Sequence, residues 1–463
     1  MDKHAEAYAQ KEIEEREKKL KEKALKISIK EGSAYSFMDG FGLRYITPYA
    51  LALGATNIHI GFLSSLPNLI GNISQLFALK IMSTVSRKSI VMTRVFMQSF
   101  MWLALIFIGM LYFVFGMKSI YAVSMLIGAY TLLVVFGAIA GPAWTSWMRD
   151  LVDHNKGKYF GTRNRICGFI AIVAALAAGY LLDIFKNADK LFWGFALLFV
   201  VAFAGRFVSG VLFTKQYEPK FKFDNKMYFS FFDFARNMFY NNFGRFTVFA
   251  SLIYFGTAIA SPFFAVYMLN DLNFNYTLYT IVILMSSLAS IVSMPAWGKF
   301  IDIYCSRKTL KITGLFIAFI PIWWLATPFM LGNIWILILY LIFAESFGGF
   351  MWAGFGLAST TFIYDAVTAQ RTALCSAYFS LLNNIGVFAG ALIGGFLSST
   401  QISIFGFKHI LLIFLLSGIM RLAMYLLMVS RFKEVRLVKP IFFKDAMDKI
   451  SGLNLQQIVR IIR

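Results

Sequence analysis

Three ionisable side chains stand inside apolar stretches, where a charge is costly. Asp39 and Arg44 lie in FMDGFGLRY, and Glu345 lies in LIFAESFGGF. Such groups are retained where they face a partner or a water-filled cavity. Burial favours the neutral form of a carboxyl, and a neighbouring guanidinium favours the ionised form. A carboxyl poised between the two influences loads or releases a proton after a modest rearrangement. If these stretches cross a bilayer as helices, Arg44 and Glu345 both come about 15–18 Å deep, near the midplane. Asp39 then sits about 7–8 Å nearer one surface. The chemistry expected is proton uptake at Glu345, tuned by Arg44, with Asp39 relaying the proton or binding sodium. Plainer roles stay open: Asp39 paired with an interfacial cation, Arg44 capping carbonyls freed by Pro48, and a structural Glu345.

The elements that would position these groups are legible in composition. Of 463 residues, 59% are hydrophobic and only 14% are charged, far less charge than a soluble surface of this size carries. Twelve apolar segments are long enough to span a bilayer as helices: 34–54, 58–80, 90–115, 119–147, 162–185, 191–214, 246–269, 277–300, 310–330, 333–362, 373–396 and 408–430. The net charge of +21 does not indicate nucleic acid, because basic residues crowd alternate loops. Lys80, Arg87 and Lys88 share one, Lys156, Lys158 and Arg163 the next, then Lys215, Lys220, Lys222 and Lys226, then Lys299, Arg307, Lys308 and Lys311. This alternation predicts both termini on the cytoplasmic face. Residues 1–33 read as a charged helix capping that face, without a signal peptide. The tail 431–463 alternates basic and apolar residues, as a segment lying on the membrane does. Cys167, Cys305 and Cys375 show neither metal spacing nor a disulfide context.

The chain is also written twice. Arg206 and Arg421 lie 215 residues apart, and so do Asp150 and Asp365. FGLRYITP at 41–48 aligns with FGTAIASP at 255–262, and Ser86-Arg87-Lys88 returns as Ser306-Arg307-Lys308. The repeat pairs 34–214 with 246–430, joined by a basic linker, 215–245. Asp39, Arg44 and Glu345 are the residues without a twin: Ile253, Ala258 and Tyr130 stand opposite them. The duplicated Arg206 and Arg421 read as structural, snorkelling or capping a carbonyl.

Two parallel six-helix halves with a basic central loop and both ends inside resemble the major facilitator superfamily of secondary transporters. The resemblance covers about 34–430. It implies an all-α membrane fold of two pseudo-symmetric six-helix bundles working as a monomer in the plasma membrane, with spans 1, 4, 7 and 10 lining a central cavity. That family carries a glycine, an aspartate and basic residues between spans 2 and 3, often repeated between spans 8 and 9. Here the fuller copy is the second, Gly298, Asp302, Arg307 and Lys308; the first keeps Arg87 and Lys88 but has Ala78 and Met82. The resemblance implies a cytoplasmic latch between the halves, with Asp302 accepting backbone amides at a helix N-terminus. Asp150 with Arg149 and Arg163, and Asp365 with Arg371, are expected to form ion pairs that change as the halves rock.

A lining is expected from polar stripes at helical spacing: Ser64, Asn68, Asn72 and Gln75 in span 2, and Ser376, Ser380 and Asn383 in span 11. These faces serve equally as glue between helices. Tyr45, Tyr49, Tyr130, Phe263, Phe264, Tyr267 and Trp352 either flank a ring-shaped solute or pack. The leading expectation is a secondary transporter of a small organic solute coupled to a proton or sodium, requiring no cofactor. A drug or metabolite exporter of the same fold is the alternative. A primary pump is disfavoured because no phosphate-binding loop is present. A membrane enzyme acting on lipid-linked substrates would need clustered histidines or carboxylates, yet His4, His59, His154 and His409 are scattered. A channel leaves the two latch regions unexplained.

Overall fold

Short polar caps and prolines divide the chain into helices. The computed structural model describes residues 2–82, 84–152, 156–219, 230–368, 371–400 and 409–435. His154, Lys408, residues 220–229 of the linker and 436–463 of the tail lie outside the described residues. The helices are α1 (Asp2–Phe41), α2 (Ile46–Ala52), α3 (Asn57–Ile81), α4 (Arg87–Phe113), α5 (Ser119–Leu151), α6 (Lys156–Asn187), α7 (Leu191–Thr214) and α8 (Phe231–Asn237). They continue as α9 (Asn242–Ala260), α10 (Phe263–Val266), α11 (Tyr276–Tyr304), α12 (Ser306–Trp323), α13 (Ile334–Ala366), α14 (Thr372–Ser399) and α15 (His409–Met428). Ser86, Asn241, Asn275 and Asn333 cap α4, α9, α11 and α13, each side chain accepting an otherwise orphaned backbone N–H.

Among the described residues ten helices are long and apolar enough to cross a membrane. The other two expected spans are helical but are not among the ten. Span 34–54 is broken by a 3-10 turn, Leu43–Tyr45, between α1 and α2. The polar stripe of α3 makes it less apolar than its neighbours. The charged N-terminal segment is no separate element either, because α1 runs unbroken from Asp2 to Phe41. Large apolar side chains such as Phe107, Phe169, Trp193, Trp335 and Phe343 are exposed around the outside, which only hydrocarbon surroundings make tolerable.

The packing pattern repeats. In the first part of the chain α1 packs on α6 and α7, α4 on α5 and α7, and α3 on α5. In the second part α9 packs on α14 and α15, α12 on α13 and α15, and α11 on α13. Each pairing in the first set has its counterpart in the second. Both leading helices also break near equivalent prolines, α1–α2 before Pro48 and α9–α10 at Pro262, since proline lacks the N–H that a continuing helix needs. The largest contacts between the sets are those of α3 with α14 and α6 with α11, with smaller ones from α10 to α2 and α3. Within the second set, α14 approaches α9 so closely that a Cβ at Gly390 or Gly394 would overlap the carbonyl oxygens of Phe255 and Ile259.

Candidate functional site

The break in the first span builds the first charged element. Past Phe41 the 3-10 turn brings Arg44 back over the end of α1, and its Nη2 lies 3.3 Å from Asp39 Oδ2. Both side chains are partly exposed, at 23% and 29%. The Arg44 Nε is buried and has no acceptor among the described residues. Glu345 is half-buried on α13 and makes no hydrogen bond or ion pair among the described residues. The expected meeting of Arg44 with Glu345 is therefore replaced by Arg44 with Asp39, because the turn shortens the path between residues on one strand of chain. On α11, Tyr279 lies within electrostatic reach of both Arg44 and Glu345. No charge or repeat marks Tyr279 in the sequence. Tyr130 lies within reach of Asp39.

The lining divides into two groups. On α3, Asn68 is exposed and Asn72 and Gln75 are half-buried. Asn68 and Asn72 donate to the carbonyls one turn back, at 3.0 and 2.9 Å. The exposed Ile70, Ile73 and Phe77 occupy the opposite face, so the polar stripe is turned away from the lipid side. Trp352 stacks on Tyr254 at 5.5 Å and stays half-buried, as does Ser380. The remaining candidates pack. Tyr49 donates to Leu105 O at 2.8 Å and sits against Phe195 and Phe199. Tyr267 bonds the Thr327 hydroxyl at 2.7 Å, against Trp324 and Phe414. Asn383 accepts from Ser251 at 2.8 Å, joining α14 to α9. A buried hydroxyl or amide needs a partner, and these found theirs in neighbouring helices.

Contacts between the two helix sets gather near the end where α11 begins and α14 finishes. Tyr45 bridges the sets, its hydroxyl 2.7 Å from Thr280 Oγ1 and 2.6 Å from Ala175 O. Asp183 of α6 accepts the first backbone N–H groups of α11, from Tyr276 at 2.8 Å and Thr277 at 2.9 Å. Asn57 donates to Ser398 O at 3.2 Å, and Phe62 meets Phe388 edge-on. Asp183 was not singled out from the sequence, although an acid ending a span (YLLDIFKN) was a visible signal.

The loop regions at the opposite end reverse the expected order of importance. Arg87, in the copy lacking the aspartate, is 1% exposed and lies 2.6 Å from Asp150 and 3.4 Å from Glu218. It also donates to the carbonyls of Ser146 and Pro219, and Lys88 donates to those of Thr214 and Gln216. Asp302, in the fuller copy, is exposed and makes no hydrogen bond or ion pair among the described residues. The acceptor at that helix start is Glu434, which takes the Arg307 N–H at 2.8 Å. Gly298 is crowded by nothing closer than the Leu357 side chain, Lys308 lies over the Tyr304 ring, Asp365 is half-buried and Arg371 exposed. Arg87 and Arg149 pair with Asp150 and Arg163 with Glu31, all within the first helix set, while Arg87 also pairs with Glu218 of the linker. Cys305 precedes α12 at φ 76°; burial and the neighbouring Glu434 carboxylate push its thiol up to about 11. Arg421 caps Ile317 O at 3.0 Å, as a structural arginine does. Its twin Arg206 has instead joined a carboxylate, Glu31.

The described residues are all helical or in turns and loops, and they pack as two similar helix sets. Residues 246–447 match the family model of the Major Facilitator Superfamily, while no curated protein matches the chain in sequence. Among solved structures the chain is similar to the nucleoside transporter NupG in a variant form, with TM-score 0.65 and 13% identity over 88% of this chain and 100% of that one. It is also similar to a bacterial homologue of the human lysosomal transporter Spinster, inward-facing and unoccupied, with TM-score 0.60 and 16% identity over 89% and 98%. A bacterial homologue of the iron transporter ferroportin, inward-facing, gives TM-score 0.60 and 14% identity over 89% and 99%. The second part of the chain thus matches the family model of the Major Facilitator Superfamily, and most of its length shares the fold of these solved transporters.

Proposed function

We propose that this protein is a secondary active transporter of a small organic solute, working as a monomer by alternating access and coupled to protons. In this reading twelve spans form two halves, 34–214 and 246–430, hinged by the basic linker 215–245. The N-terminal helix, the linker and the tail share the cytoplasmic face of the plasma membrane. The observation that carries the reading is one-sided closure. The halves meet through Tyr45, Asp183 and Asn57 near one end, while Asp39 and Arg44 stay partly exposed and Glu345 half-buried away from those contacts. A carboxylate without a partner at the depth of Glu345 is where a coupling ion would act, and parting the halves would expose it to the other side. Sodium held by Asp39 is the competing coupling scheme.

The solute class is not set by fold, since the similar structures include a nucleoside transporter and an iron transporter homologue. The deciding experiment reconstitutes the protein in liposomes and screens labelled nucleosides, amino acids, organic anions, organic cations and divalent metals under an imposed proton or sodium gradient. Uphill accumulation of one class under the proton gradient is expected. A folded, oriented preparation that accumulates none of them under either gradient would overturn the reading.

A further inference from the structure

Apart from the proposed transport site, the first helix set forms a partly open pocket of about 290 Å³ between α1, α4, α5, α6 and α7. Its polar wall is Glu31, Arg163 and Arg206. Glu31 is only 4% exposed and lies between the two guanidiniums, 3.2 Å from Arg163 Nη2 and 3.9 Å from Arg206 Nη1. Ser209 donates to it at 2.9 Å, and Arg206 Nε donates to Gln98 Oε1 at 2.6 Å. One carboxylate thus faces two arginines, so the wall holds an excess positive charge. Among the described residues Arg163 Nη1 and Arg206 Nη2 find no acceptor. Each guanidinium also lies over an aromatic face, Arg163 over Trp144 at 4.9 Å and Arg206 over Tyr35 at 5.0 Å. Such stacking holds the planar groups in fixed orientation.

We propose that this cavity binds a small organic monoanion. Its acid group takes the free N–H donors of Arg163 and Arg206, a planar recognition that guanidinium forks perform well. Its apolar body lies against Trp144 and the wall of α5. Glu31 is the internal counter-charge: it holds the two arginines in place and limits the site to a single negative charge, because a dianion would leave an uncompensated buried charge. The volume, at the lower end of ligand pockets, admits one small ring or a short chain. The anion is either a free metabolite or an anionic lipid headgroup, two sources of one chemistry.

Gly141 supplies a steric test that leaves the charges alone. It lines the cavity, and a Cβ there would meet nothing within 4 Å, so Gly141→Leu starts from open space and adds bulk at the cavity wall. Gly128, on the same helix and equally unobstructed but outside the cavity, gives the control Gly128→Leu. The probes are labelled benzoate, neutral benzamide and phosphatidylglycerol in mixed micelles, bound to the purified full-length protein in detergent. Saturable binding of benzoate over benzamide is expected. It should weaken by at least about tenfold in Gly141→Leu, stay unchanged in Gly128→Leu and lose its preference for the anion in Arg163→Gln. Displacement of benzoate by phosphatidylglycerol assigns the same site to a lipid headgroup, and its absence assigns a soluble anion. Equal binding of benzoate and benzamide, or undiminished benzoate binding in a folded Gly141→Leu, overturns the proposal. Neither result bears on whether the protein transports, because no measurement requires a gradient.

Discussion

Asp183 holds Thr277 twice across the two helix sets: one oxygen accepts the Thr277 N–H at 2.9 Å and its hydroxyl at 2.5 Å. The other accepts the Tyr276 N–H at 2.8 Å. The acid on α6 thus finishes the N-terminus of α11, whose own cap, Asn275, reaches only Leu278. An N-terminal cap contributes about 0.5–2 kcal/mol. This one acts only while the two sets touch, so it biases conformation rather than helix stability.

The first prediction follows from that geometry. Asp183→Ala should shift the protein toward forms opened at this end, by about two- to thirtyfold for a lost cap. Asp183→Asn, which keeps an acceptor oxygen, should shift it less. Spin labels at Asn187 and Gly332, in loops at this end, would read the distance. A distribution that Asp183→Ala leaves unchanged removes the gating role.

The second prediction concerns the loop carboxylates. Arg87 is buried against Asp150, Glu218 and two carbonyls, so removing one charged acceptor leaves the guanidinium underserved. Asp150→Ala should cost about 1.5–3 kcal/mol, the range for hydrogen bonds to charged groups. Asp302→Ala, with its carboxylate in solvent, should stay within about 0.5 kcal/mol. Thermal unfolding in detergent compares them, and an equal loss in both variants would restore Asp302 to the latch.

How much of this was legible depends on what kind of physics sets each feature. The helical membrane fold and the duplication were readable, because lipid forces every span to declare itself in apolar length and a repeat preserves Pro48 with Pro262 and Arg206 with Arg421. Partner choice was not. Arg206 and Arg421 look equivalent in sequence, but one meets Glu31 and the other Ile317 O, which depends on whether α1 delivers an acid at that depth. By type Tyr49 and Tyr267 suit either a ring-shaped solute or packing, and only the structure shows their hydroxyls already spent on Leu105 and Thr327. The 3-10 turn that returns Arg44 to Asp39 is a tertiary adjustment that helical spacing does not encode.

The third prediction uses the backbone at Cys305. Its φ of 76° with ψ of 160° lies where residues other than glycine carry about 1–3 kcal/mol of strain. Cys305→Gly should therefore raise the unfolding temperature, and Cys305→Val should lower it. The thiol, pushed up to about 11 by burial and Glu434, is almost wholly protonated at neutral pH. Maleimide should label it slowly there and faster as pH rises, since the thiolate is the nucleophile. Rapid labelling at pH 7 in the folded protein would contradict the burial of this turn.

The last prediction addresses coupling. Glu345 stands half-buried on an apolar helix without a hydrogen bond or ion pair among the described residues, while Arg44 is held by Asp39. Tyr279 lies within electrostatic reach of both Arg44 and Glu345, so its hydroxyl is the one to test for a role between the two charged elements. If Glu345 carries the proton, Glu345→Gln fixes the loaded form. Uphill accumulation should then fall to background, while exchange of solute at equal concentrations on both sides continues. Tyr279→Phe, which keeps the ring and deletes the hydroxyl, should slow accumulation and spare exchange to a smaller degree. Asp39→Asn, which frees Arg44, separates the schemes. Under proton coupling it alters the rate but keeps the dependence on a proton gradient, and under sodium coupling it abolishes the dependence on sodium. Accumulation by Glu345→Gln at the parent rate would rule this carboxylate out as the coupler and move the search to Asp39.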